Sequence, residues 1–135
     1  MLKNLIIATA FSVAATVVHA GYSCEAYSYG NGLNATSGSI KEQKEIIRSW
    51  IPENFSVDET VLQFDDWDPI KVRSYSDQKI RATVKLEDDS GEDHNVTYEL
   101  LVKDNAANGS LRMHVTMRER GYKPLGPVVF DCTRS

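Results

Sequence analysis

From Gln78 onward the chain alternates between apolar and polar residues with a period of two. Ile80, Ala82, Val84 and Leu86 take one side, and Lys79, Arg81, Thr83, Lys85 and Glu87 take the other. This is the signature of a strand with one face in a core and one in water. The polar run Asp88-Asp89-Ser90-Gly91-Glu92-Asp93 then predicts a hairpin connection. Val96, Tyr98, Leu100 and Val102 alternate with Asn95, Thr97, Glu99 and Lys103. Past a turn over 104–110, Leu111, Met113, Val115 and Met117 alternate with Arg112, His114, Thr116 and Arg118. Two prolines follow Gly121, and Val128 to Cys132 reads as the last strand. Upstream, residues 21–29 predict a short first strand and Val57 to Phe64 a second, ended by Asp65-Asp66-Trp67-Asp68-Pro69. Ile70 and Val72 mark a further short one.

The period changes once. Ile40, Ile47, Trp50 and Ile51 fall on one face at helical spacing with Ile46 beside them, while Lys41, Glu45 and Arg48 point to water. Ser39 with Glu42 three residues later forms a capping box, and Pro52 stops the helix by pushing Ile51 out of the helical region. Residues 30–38, rich in Gly, Asn and Ser, predict a loop between the first strand and this helix. A helix with one apolar stripe needs a flat apolar surface to lie on. The expected fold class is therefore α+β in two layers: one N-terminal amphipathic helix packed on an antiparallel sheet of four to six strands, the other sheet face polar. An uncovered edge strand would offer a route to a homodimer.

Residues 1–20 change the setting. Lys3 supplies a positive start, Leu5 to Val18 is mostly apolar, and Val18-His19-Ala20 ends in a small-residue cleavage site. The pattern is that of a secretory signal peptide, too short in its apolar run for a membrane span. Residues 21–135 are then expected to form a single secreted α+β domain, periplasmic or released from the cell. In an oxidising compartment Cys24 and Cys132, near the two ends of that domain, most simply form one disulfide. Closing a loop of about a hundred residues contributes about 4–5 kcal/mol in the chain-entropy picture. Four N-x-S/T triplets begin at Asn34, Asn54, Asn95 and Asn108; the bacterial look of the leader makes them chance matches rather than glycan acceptors.

Charge narrows the partners. The chain has 15 basic and 19 acidic residues; removing Lys3 with the leader leaves 14 against 19, a net of −5. Such a balance argues against nucleic acid or an anionic membrane as partner. The basic residues nevertheless collect on the outward strand positions Lys79, Arg81, Lys85, Lys103, Arg112, His114 and Arg118, with Arg120 beyond, diluted by Glu87, Glu99 and Glu119. The acids gather in loops, above all Asp65, Asp66 and Asp68 around Trp67. A tryptophan in an acidic rim is a suitable anchor for a protein partner, because it buries much area at little entropic cost. Neither that loop nor 88–94 has the ligand spacing of a calcium loop, so no metal and no cofactor are expected.

Catalytic signals are weak. His94 and His114 are the histidines outside the leader, and no HExxH, GxSxG, P-loop or dinucleotide glycine pattern occurs. These features together predict a small exported non-enzymatic protein-binding module, a periplasmic inhibitor or immunity-type protein. Its contact residues would be Trp67, Asp65, Asp66 and Asp68, or Lys79, Arg81, Arg112, His114 and Arg118. The alternatives are a secreted effector or host-interaction factor and, further off, a small hydrolase with His114 as the first residue to test.

Overall fold

The computed structural model describes residues 21–29, 40–105 and 110–134. The leader, the loop expected at 30–38, Ser39 of the capping box and the centre of the 104–110 turn lie outside them. The elements are β1 (Tyr22–Ser28), α1 (Ile40–Trp50), β2 (Asn54–Val57), β3 (Val61–Phe64), β4 (Ile70–Tyr75), β5 (Lys79–Glu87), β6 (Asp93–Asn105), β7 (Ser110–Glu119) and β8 (Leu125–Arg134). Each strand pairs antiparallel with the next, and β8 returns to pair with β1, giving a closed eight-stranded up-and-down barrel.

This corrects the two-layer α+β expectation. An apolar strand face can be covered by a helix, or it can be covered by the rest of its own sheet curled round on itself; alternation along the strands is the same in both cases. The strand count also differs. The segment Val57–Phe64 is not one strand but the end of β2, a tight turn and β3. Asp58 makes that turn: its Oδ1 accepts from the amides of Thr60 at 2.7 Å and Val61 at 3.0 Å and from the Thr60 hydroxyl at 2.7 Å. β1 and β8 pair along the seam, so the described strands close into a barrel with each strand paired on both sides.

The disulfide is formed. Cys24 and Cys132 stand opposite each other in the β1–β8 register, Cα atoms 4.1 Å apart, and join residues 108 positions apart in the chain. The bond therefore staples the seam of the barrel rather than a loose pair of termini. Inside, eight strands enclose a space that side chains can fill. Phe55, Phe64, Tyr98 and Phe130 meet edge to face, with ring centroids 4.7 to 5.7 Å apart, among Leu62, Ile70, Ile80, Leu100, Met113 and Val115, all fully buried. Near one end, Gly126 brings β8 against β7: its φ is +109°, and a Cβ there would stand 2.7 Å from the Val115 carbonyl oxygen.

Helix α1 does not lie across a sheet. It links the end of β1 to the start of β2 and so sits at one end of the barrel, where the β3–β4, β5–β6 and β7–β8 connections also lie. Ile47 and Ile51 are buried as predicted; Gln43 is buried too, whereas Ile46 is more than half exposed. The last turn would leave carbonyls unpaired above an apolar interior. Two tyrosine hydroxyls meet them: Tyr98 donates to the Trp50 carbonyl at 2.6 Å and Tyr29 to that of Ile51 at 2.8 Å. Burial pushes the Tyr29 phenol up to about 12, helped by the nearby Glu53 carboxylate.

Candidate functional site

The helix-bearing end is assembled from three polar connections and the C-terminal turn of α1. In the β3–β4 loop Asp66 takes a left-handed conformation, φ +67°, which aspartate tolerates, and the Trp67 amide closes the turn on the Phe64 carbonyl at 3.1 Å. The Trp67 ring packs on Phe64, centroids 5.2 Å apart, and its carbonyl and that of Phe64 both accept from the Gln63 amide. Trp67 is thus half-buried and fixed, not a free-standing plate, while Asp65, Asp66 and Asp68 beside it are exposed.

The β5–β6 turn is built on Asp88. Its Oδ1 accepts from the Ser90 amide at 2.9 Å, the Ser90 hydroxyl at 2.6 Å and the Glu92 amide at 2.9 Å, with Gly91 at φ +86° completing the reversal. Its Oδ2 is left to meet His94 Nε2 at 2.8 Å, and on the far side His94 Nδ1 meets Glu119 Oε2 at 2.7 Å. The imidazole also stands edge-on to Trp50 at 5.5 Å and to Tyr122 at 6.2 Å. His94 is therefore a clamp holding the β5–β6 turn, the end of β7 and the helix together. The Ser90 hydroxyl, His94 and the Glu92 amide hold the Asp88 carboxyl well below the usual carboxylate range. Hydrogen bonds that the ring donates to the carboxylates of Asp88 and Glu119, in that order, raise the pKa of His94. Each ring nitrogen of His94 is held by a carboxylate in this arrangement.

Ligand atoms of Asp88, Glu92 and His94 come within 4.8 Å of one another, and these are the residues that could approach a metal among those described. The His94 nitrogen that faces Asp88 is already hydrogen-bonded to it, so an ion would have to replace that bond.

Two recesses open on either side of Trp50. One, about 360 Å³, is lined by Ser49, Trp50, Trp67, Leu86 and the three acids Glu87, Asp88 and Asp89. The other, about 230 Å³, is lined by Ile46, Trp50, His94, Met117, Tyr122 and Leu125 among others. Ile46 and Tyr122 are two of the large apolar side chains left exposed on the described surface. Among the described residues Asp65, Asp66, Asp68, Glu87 and Asp89 form no salt bridge.

The other predicted contact residues lie elsewhere, on the outer wall. Lys79 and Arg118 both reach Glu99, at 3.2 and 3.4 Å, and Arg81 stands opposite Glu99 in the β5–β6 register. Burial pulls the Glu99 carboxyl up, but the two cations outweigh it and leave it below its ordinary value. Arg112 binds Asp131 at 3.1 Å and lies over the Tyr27 ring at 4.0 Å; Lys85 faces Asp93 at 4.0 Å. His114 is half-buried on the same wall, its pKa lowered by burial and by Lys103 and Arg112. The structure thus separates the predicted residues into a tryptophan-centred acidic end and a basic wall, and does not bring them into one surface.

Sequence reasoning missed the clamp. It set Glu119 on the outward face, yet the signal was present: stepping the inward series of β6 back from Val96 gives His94, and stepping that of β7 on from Met117 gives Glu119. No known protein family matches this chain, and no curated protein and no solved structure matches it either. A barrel by itself hosts many functions, so the functional reading rests on the site.

Proposed function

We propose that this protein is an exported, non-enzymatic protein-binding module of the inhibitor or immunity kind, which meets a basic partner with the helix-bearing end of its barrel. One observation carries the reading: at that end five acidic side chains form no salt bridge among the described residues and lie with two half-buried tryptophans and exposed Ile46 and Tyr122. Uncompensated charge beside apolar area is what a protein–protein surface uses for steering and for anchoring. The filled barrel interior supports recognition at the rim rather than inside, and the doubly bonded His94 supports binding rather than acid–base turnover. A seam disulfide suits an oxidising compartment.

The test is affinity capture from periplasmic and culture-medium fractions of the source cells. A rim variant carrying Trp67→Ala with Asp65→Asn, Asp66→Asn and Asp68→Asn is compared with a wall variant carrying Arg81→Glu and Arg118→Glu, both checked for native melting. Loss of the partner in the rim variant alone supports the reading. Loss in the wall variant alone, or turnover of a substrate by the native protein, overturns it. Recovery of the protein from the medium instead of the osmotic-shock fraction would favour the secreted-effector version of the same surface.

A further inference from the structure

We infer that the recess between Trp50 and Trp67 is a socket for one arginine or lysine side chain of the protein partner, an assignment that deepens the protein-binding reading and rests on it. The lining of this recess combines two chemistries. Trp50, Trp67 and Leu86 offer apolar and aromatic surface, and Glu87, Asp88 and Asp89 supply three consecutive acids. Asp88 is already committed, one oxygen to the turn and one to His94. Glu87 and Asp89, exposed on either side of it, form no salt bridge among the described residues. Asp65, Asp66 and Asp68 flank Trp67, add negative potential and form no salt bridge among the described residues.

A long basic side chain satisfies both halves at once. Its methylene stem lies along apolar surface while its head stays at a polar edge. An indole face attracts a cation, and a planar guanidinium stacks on it better than a strongly hydrated ammonium does. An aliphatic anchor would cover the apolar lining but leave Glu87 and Asp89 uncompensated, and an acidic one would be repelled. A volume of about 360 Å³ has room for a long basic side chain. The two recesses share Trp50, so a segment that places a basic residue in the first can lay an apolar one against Ile46 and Tyr122 in the second.

Trp50 and Trp67 are the two tryptophans of the chain, so their indole N–H resonances report on the socket directly. The purified full chain is titrated with acetyl-Gly-Arg-Gly-amide, with its lysine, citrulline and leucine counterparts, and with free arginine. The expected result is saturable shifts of both indole signals with the arginine peptide, weaker ones with lysine and none with citrulline. Glu87→Gln with Asp89→Asn, two exposed and shape-conserving changes, should weaken the arginine peptide by about tenfold, and raised salt should do the same in the native protein. Equal binding of the citrulline or leucine peptide, or shifts that the double variant leaves unchanged, overturns the socket. Free arginine binding more tightly than the peptide overturns the assignment to a protein partner. Partner capture in the preceding test is a separate readout: it can succeed with the double variant, which overturns the socket alone, or fail while the peptide binds, which overturns the protein-partner reading on which the assignment of the socket rests.

Discussion

The acidic end and the basic wall of this barrel both carry charged side chains, and they differ in what several of those charges touch. On the wall Lys79 and Arg118 share Glu99, Arg112 has Asp131 and the Tyr27 ring, and Lys85 has Asp93. At the end Asp65, Asp66, Asp68, Glu87 and Asp89 have no such partners among the described residues, and apolar side chains are exposed beside them. Charges satisfied within the fold contribute little to recognition, because a partner must first compete with the existing pair. Charges left open on a surface are already oriented toward whatever arrives. Local charge count, which made the wall the more unusual feature of the sequence, is therefore a poorer guide than pairing.

Both regions depend on closure of the same seam, and the largest effect should come from opening it. Cys24→Ser with Cys132→Ser is expected to cost about 2–5 kcal/mol, read by chemical denaturation, with melting that exposes end and wall together. If the wall melts independently, the two are not one cooperative unit. Tyr98→Phe acts on the end alone: it leaves the Trp50 carbonyl above the core without its donor, a loss of about 1–3 kcal/mol accompanied by a change in tryptophan emission. Unchanged stability would mean the helix is not held by that bond.

The His94 clamp sharpens the comparison through pH. Its folded pKa is raised, so its stabilising share is complete below the ordinary value of 6.5 and is lost as pH climbs through the raised value. The Asp88 pKa is lowered, so its share is present above 3.8 and fades as the pH falls toward its depressed value. Stability should therefore peak between those limits, and His94→Gln should flatten the alkaline side of the melting profile; an unaltered profile would remove the clamp from the case. The smallest effects separate paired from unpaired charge by sign. Glu99→Gln frees two cations and should cost up to about 1 kcal/mol, whereas Glu87→Gln with Asp89→Asn should change stability by no more than about 0.5 kcal/mol and in the favourable direction. The same sign for both would erase the distinction.

Much of the local structure was legible in the sequence. The phases of β5, β6 and β7, the hairpin at 88–93, the helix end before Pro52, and Ile47 with Ile51 as buried positions all follow from periodicity and turn chemistry. Trp67 and its three aspartates were identified as one acidic, aromatic rim, but its neighbours in space, Trp50 and Glu87 to Asp89, come from elements distant in sequence. The division of Val57–Phe64 into two strands escaped because an Asx turn three residues long hides inside an otherwise β-prone run. The Asp88–His94–Glu119 contacts escaped because they join a turn residue to the ends of two strands.

By itself the sequence determined which residues face inward on most strands, where the helix stops and which two sulfurs can join. Those properties depend on neighbours a few positions away, or on there being no other cysteine to choose. Tertiary structure alone decided that the sheet closes on β1, that the helix sits over one end instead of across a face, and that Lys79, Lys85, Arg112 and Arg118 of the wall find acidic partners while Asp65, Asp66, Asp68, Glu87 and Asp89 at the end form no salt bridge among the described residues. The reason is that a period of two says only that one side of a strand avoids water; whether a helix or the opposite strands provide the cover depends on sheet curvature and on the meeting of β1 with β8 from opposite ends of the domain.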